Sequence, residues 1–145
     1  MIAPILLSVA AMIAGKPVDI ACDADTNLIP NTSITFAVEA WTYIGGDQIH
    51  LLPQLCQDAS QPIGTYEFAH GVGTIIHEAT HARGIARESC AELTADIGIY
   101  DILRRLYGIP FFSKVSLRVG AQVLALSRAR PPDYQPEGCW NTSPS

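Results

Sequence analysis

Residues 66–82, Tyr-Glu-Phe-Ala-His-Gly-Val-Gly-Thr-Ile-Ile-His-Glu-Ala-Thr-His-Ala, constrain this chain more than any other stretch. At about 100° per residue, Phe68, Val72, Ile75, Ile76, Ala79 and Ala82 gather on one side of a helix, and His70, His77 and His81 on the other. A helix with one apolar face and one imidazole face satisfies that pattern, and Gly84 supplies a stop just past it. His77-Glu78-Ala79-Thr80-His81 reads H-E-x-x-H, whose i, i+4 spacing stacks two imidazoles where they can share a metal ion. Gly73 and Thr74 lie near the imidazoles and are small, which predicts room for an ion and a substrate. His70 stands about 10 Å along the axis from His77, too far to share that ion.

A chain of 145 residues suits one domain with its own core. Its formal net charge of -5, with the basic residues scattered, argues against a nucleic-acid surface. Residues 1–15 are apolar throughout, too short to span a bilayer, and look like the apolar core of a secretory leader. They lack the positively charged start of such a leader, so a buried first helix or strand is the alternative. The expected organisation is a leader over residues 1–15 and one domain over 16–145, with no stable membrane span. Four widely spaced cysteines, Cys22, Cys56, Cys90 and Cys139, form no C-x-x-C pair. An even number behind a leader-like start predicts two disulfides and a secreted or extracytoplasmic protein. Spacing alone allows three pairings. Cys22–Cys56 and Cys90–Cys139 are favoured, because the first two flank the expected sheet and Cys90 sits where it could pin the tail. Nothing in the sequence speaks to oligomeric state.

Residues 18–22 are a short apolar run suited to a strand, and 23–31 are rich in Asp, Asn and Pro, as a loop is. Residues 33–44 and 48–52 flank Gly45-Gly46-Asp47 and predict a hairpin. Residues 54–62 predict a short helix or loop around Cys56. A second long helix is expected over 88–106, where Glu88, Glu92, Ala95, Ile99, Ile102, Leu103 and Leu106 share one stripe, acidic at its start and apolar beyond. Since the apolar part must face the core, both glutamates are directed inward too. Ser113 predicts the N-cap of a third helix ending near residue 129, and residues 130–145 a Pro- and Ser-rich tail extended on the surface. The fold class is therefore α+β: a small, mainly antiparallel sheet packed on the motif helix and one or two further helices.

A catalytic zinc commonly has three protein ligands and an open position. No histidine follows His81, and Arg87 stands where the extended H-E-x-x-H-x-x-G-x-x-H pattern needs its last one. The third ligand is then a carboxylate, Glu88 or Glu92. In an antiparallel pair of helices joined at Gly84, Glu88 lies level with His81, whereas Glu92 lies about 6 Å further from the turn, nearer the level of His77. Depth thus favours Glu88 as ligand and Glu92 as an acceptor orienting an imidazole.

Here the chain resembles the gluzincins, zinc metallopeptidases with an H-E-x-x-H helix and a glutamate from the following helix. Glu92-Leu93-Thr94-Ala95-Asp96 looks like the E-x-x-A-D form of the second motif, which would make Glu92 the ligand. Glu88-Ser89-Cys90-Ala91 looks like the shorter E-x-x-A form. The His81-Ala82-Arg83-Gly84 connection and the Tyr134-to-Cys139 ending are similar to those of small uncharacterised exported actinobacterial proteins, in which the glutamate matches Glu88. The resemblance spans roughly residues 47–139 and implies zinc-dependent hydrolysis of peptide bonds in a peptide or protein substrate. His77, His81 and Glu88 would hold Zn²⁺, and Glu78 would take a proton from the water that the ion activates. A transition-state donor is left open among Tyr66, Tyr100, Tyr107 and His70. The alternative is a zinc-stabilised, disulfide-stapled binding or inhibitor module that cuts nothing.

Overall fold

The computed structural model describes residues 2–25 and 39–140. The apolar start is a helix, α1 (Pro4–Ala14), opened by proline and ended by left-handed Gly15. Its Leu6, Val9, Ala10 and Ala14 are buried in the common core. Three short strands follow, β1 (Asp19–Ala21), β2 (Ala40–Thr42) and β3 (Gln48–Leu51), in the order β1-β3-β2. The expected hairpin forms around Gly45-Gly46-Asp47, with Trp41 opposite His50 and Thr42 opposite Ile49. Its residues 33–38 lie outside the described part of the chain.

The α+β class stands as expected, but the sheet is mixed instead of mainly antiparallel. β2 runs antiparallel to β3, whereas β1 runs parallel to it, Ile20 pairing with Ile49. A physical reason lies in the cysteines. Parallel strands end on the same side, so Cys22, just after β1, meets the short helix α2 (Pro53–Asp58) just after β3, where Cys56 closes a disulfide. An antiparallel β1 would carry Cys22 to the opposite end of β3. Alternation decides the two faces: Ile49 and Leu51 point into the core, while Trp41 stacks on His50 across the outer face at 3.9 Å.

α3 (Tyr66–Ala82) is capped by the Thr65 hydroxyl, which accepts from Phe68 N at 3.2 Å. Its expected apolar face is buried throughout, and on its imidazole face His77 and His81 are buried under the sheet, α4 and the C-terminal segment while His70 is half-buried. α4 (Glu88–Tyr107) and α5 (Lys114–Arg128) pack on it and on each other, α5 starting at the expected cap, where Ser113 Oγ accepts from Ser116 N. Of the expected tail, residues 130–140 do not run extended over the surface, and residues 141–145 lie outside the described part of the chain. The chain forms two 3₁₀ turns, Pro132–Tyr134 and Pro136–Cys139, that fold against α4 and bury Pro136. The Cys90–Cys139 disulfide and the Tyr134 ring, which finds a stacking partner on α3, hold it there. Among the described residues no helix is long and apolar enough to cross a membrane.

Candidate metal centre

Three backbone features bring the functional side chains together. The β2–β3 turn donates from Gly45 N to His81 O at 2.8 Å, tying the sheet to the end of α3. Gly84, at φ 112°, lets the chain reverse with only five residues between α3 and α4. Glu88 therefore occupies the first turn of α4, where a helix N-terminus favours a carboxylate.

Within that frame the two imidazoles converge. His77 Nε2 and His81 Nε2 lie 3.1 Å apart, and Glu88 Oε1 is 3.2 Å from the first and still closer to the second. Each Nδ1 is already committed. His81 Nδ1 donates to the Ile85 carbonyl at 2.7 Å, and His77 Nδ1 donates to Glu92 Oε1 at 2.6 Å. A carbonyl only accepts, so the hydrogen of a neutral His81 must sit on Nδ1 and the lone pair on Nε2. Glu92 imposes the same tautomer on His77. Both Nε2 atoms and a carboxylate oxygen thus face one another in a largely buried cluster, which could hold a cation in place of the imidazole protons.

Glu78 completes the cluster. Its carboxylate and the two imidazole nitrogens lie within 4.8 Å of one another, all buried. Glu78 Oε2 is buried without a well-formed hydrogen bond, and Thr42 on β2 is the neutral side chain that acts on it. The opening is on the Glu88 side, where that side chain is 31% exposed against 6% and 8% for His77 and His81.

Charge tells the same story. Burial alone would lower the His77 pKa, but the carboxylates of Glu88, Glu92 and Glu78 overcome it and push it up to about 9. His81 moves in the same direction, burial again being outweighed by Glu88 and Glu78. Glu88 and Glu92 resist their own burial and stay below the usual carboxylate range, because the imidazoles bond to them. Glu78 is the exception: burial raises it. A site where two imidazoles hold protons tightly only because carboxylates surround them is a site with a deficit of positive charge. The residues present fit a divalent ion, and two imidazole nitrogens with a carboxylate are the ligands zinc takes in hydrolytic sites.

Beyond the expected residues, Tyr134 stands over the centre. Its ring stacks on His77 at 5.8 Å with 17° between planes, and its hydroxyl bonds to Glu88. Burial and that carboxylate raise its pKa, so it stays protonated and donates. The Tyr-x-x-x-x-Cys ending was the only signal for it. Behind Glu92, Ser127 Oγ sits 2.5 Å from Glu92 Oε2 and 2.7 Å from Asp96 Oδ1, and burial pushes Asp96 up to about 6. Arg130 reaches Glu92 Oε1 at 3.8 Å and Glu39 at 3.5 Å.

The other candidates lie elsewhere. His70 donates to Glu39 Oε2 at 2.7 Å and lines a small pocket between α3 and α5 with Gly73 and Thr74. Those two small residues therefore make room for α5, with Val123 3.7 Å from where a Gly73 side chain would start, and not for an ion. Tyr66 points to solvent at the start of α3, Tyr100 packs on Gly120, and Tyr107 packs edge-on against Phe68. Comparison of the chain with family models, curated proteins and solved structures finds no match. The functional reading therefore rests on the geometry above.

Proposed function

We propose that this protein is a zinc-dependent metallopeptidase of gluzincin type, with His77, His81 and Glu88 as metal ligands and Glu78 as general base. The observation that carries the reading is the convergence of both Nε2 atoms with Glu88 Oε1 while both Nδ1 atoms are held by other partners. Bound there, Zn²⁺ would polarise a scissile carbonyl and acidify a water molecule. Glu78, unpaired at Oε2 and raised in pKa by burial, is a stronger base than an exposed carboxylate and is suited to take a proton from that water. Oxygen adds to the carbonyl carbon, the carbon–nitrogen bond breaks, and Glu78 returns the proton to the departing amine. Glu92 fixes the plane and tautomer of His77, and Tyr134 donates to Glu88 and shields one face of His77. The two disulfides support an extracytoplasmic location, where such bonds persist.

One observation favours a second reading. Both imidazoles are nearly buried beneath Tyr134, as suits a closed structural site in a binding or inhibitor module. Elemental analysis of purified protein, followed by digestion of a peptide library with and without chelator, separates the two. Stoichiometric zinc with chelator-sensitive cleavage is the expected result, and stoichiometric zinc with no cleavage would favour the module. Protein that takes up no zinc would overturn both. Glu78→Gln should retain zinc and lose cleavage, and full activity in that variant would remove Glu78 from the reaction.

A further inference from the structure

Charge and apolar exposure are unevenly distributed over this molecule, and both concentrate on one corner. Residues 104–128 hold Arg104, Arg105, Lys114, Arg118 and Arg128, five of the nine basic residues, and none of the fourteen acidic ones. All five are exposed. The same stretch carries Phe111, Phe112, Val115, Leu117 and Leu124, five of the large apolar side chains that stand in solvent among the described residues. On α5 the buried residues, among them Ser116, Val119 and Val123, face α3 and α4, which leaves Leu117, Ala121 and Leu124 along the outer face between Lys114, Arg118 and Arg128.

The corner between α4 and α5 adds a stronger sign. Phe112 is 84% exposed and the only described residue other than glycine with positive φ, 62°. A bulky side chain in that conformation is strained, and here no burial compensates. Glycine or asparagine would serve the turn better, so folding does not explain the phenylalanine. Its neighbour Phe111 is held under the Arg104 guanidinium at 5.0 Å, whereas among the described residues Phe112 meets only the tilted Phe111 ring, at 6.3 Å, and no cation.

We propose that this corner and the outer face of α5 dock on an anionic lipid surface. A protruding ring beside an amphipathic helix with a basic rim suits a deformable interface of apolar chains below acidic headgroups. Asp101 pairs with Arg104 and Arg105, and Glu137 with Arg128, while Lys114 and Arg118 have no ion pair among the described residues and remain available to headgroups. A second copy of the chain is the weaker occupant, because a two-fold contact would set the same acid-free helix against itself. Docking leaves the metal centre free, because Ser127, which bonds to Glu92 behind the centre, lies on the buried face of α5, opposite the exposed Leu117, Ala121 and Leu124.

The test is sedimentation of the full chain with vesicles of phosphatidylcholine alone and of phosphatidylcholine with phosphatidylglycerol. Binding confined to the phosphatidylglycerol vesicles and weakened by salt is expected. Phe112→Asn should lower that partition about tenfold while raising the melting temperature, a pair of opposite effects that a purely structural residue would not give. Lys114→Gln with Arg118→Gln should erase the preference for phosphatidylglycerol. No sedimentation with the anionic vesicles, or undiminished partition of Phe112→Asn, overturns the proposal. So does a dimer in analytical ultracentrifugation that Phe112→Asn dissolves, which would assign the face to a second copy.

Discussion

At the scale of single residues, the site is a set of proton and lone-pair assignments, and its variants should sort accordingly. Glu88 Oε1 meets both Nε2 atoms, whereas Glu92 meets an Nδ1. Glu88→Gln should therefore cost far more zinc affinity than Glu92→Gln, whose loss should fall within about 10- to 100-fold, as for other groups that orient a ligand. Titration against a chelating dye measures both, and the reverse order would make Glu92 the ligand. The same assignments fix a pH dependence. Glu88, Glu92 and Glu78 raise His77 to about 9 in the metal-free fold, from the ordinary imidazole value of about 6.5. A raised pKa means that the folded state binds the proton more tightly, so this stabilisation is complete below about pH 6.5 and is lost as pH climbs through about 9. Melting of the chelator-treated protein should accordingly show stability falling by up to about 3 kcal/mol over that window. With zinc in place of the proton the decline should vanish, and equal slopes with and without zinc would show that the ion does not sit on His77.

At the scale of elements, much was legible beforehand because local chemistry and packing agree. Ser113 caps the helix it precedes, Gly84 follows the end of α3, and the apolar stripes of α3 and α4 pack into the core. The depth argument that placed Glu88 level with His81 and Glu92 nearer His77 matches the contacts each makes, since a tight turn leaves two antiparallel helices little freedom of register. What sequence could not give is long-range. Periodicity cannot specify the parallel β1–β3 pairing, and it gives residues 132–139 the look of a tail when two contacts far apart in the chain, Tyr134 on His77 and Cys139 on Cys90, fold them with help from the nearer Gln135 on Ser127. That segment is accordingly the element most dependent on its disulfide. Closing 49 residues constrains the unfolded chain by about 4 kcal/mol. Cys139→Ser with Cys90→Ser should lower stability by about that amount and also loosen Tyr134 from His77. Zinc affinity should fall with it, while Cys22→Ser with Cys56→Ser should leave affinity unchanged after allowance for stability. Equal effects on zinc from the two pairs would mean that the Tyr134 segment does not support the centre.

At the scale of the whole molecule, one core serves every element, and the candidate metal centre lies against it with no independent scaffold. Ile49 and Leu51 of the sheet, Val72, Ile75 and Ile76 of α3, Ile99 and Ile102 of α4 and Val119 of α5 all belong to it. So do Leu6 and Val9 of α1, and this bears on the reading of residues 1–15 as a leader. Their composition suits a leader and a core helix equally, because both are apolar, and only the packing distinguishes them. Here α1 lies against α3 and α4, with Ile13 Cδ1 3.6 Å from where a side chain on Gly98 would begin. Each fully buried Leu or Val of such a helix contributes about 1.5 to 3 kcal/mol. Since domains of this size are stable by only about 5 to 15 kcal/mol, losing α1 removes a large share of the margin. A chain beginning at residue 16 should therefore melt well below the full chain and bind an apolar dye where α3 and α4 are uncovered. Melting of the two chains at equal temperature would instead mean that the core closes without α1, as a cleaved leader requires. The zinc content of the shorter chain adds a second readout. His77 and His81 sit on α3, the helix that α1 covers, so loss of the cover should weaken metal binding even where α3 itself persists.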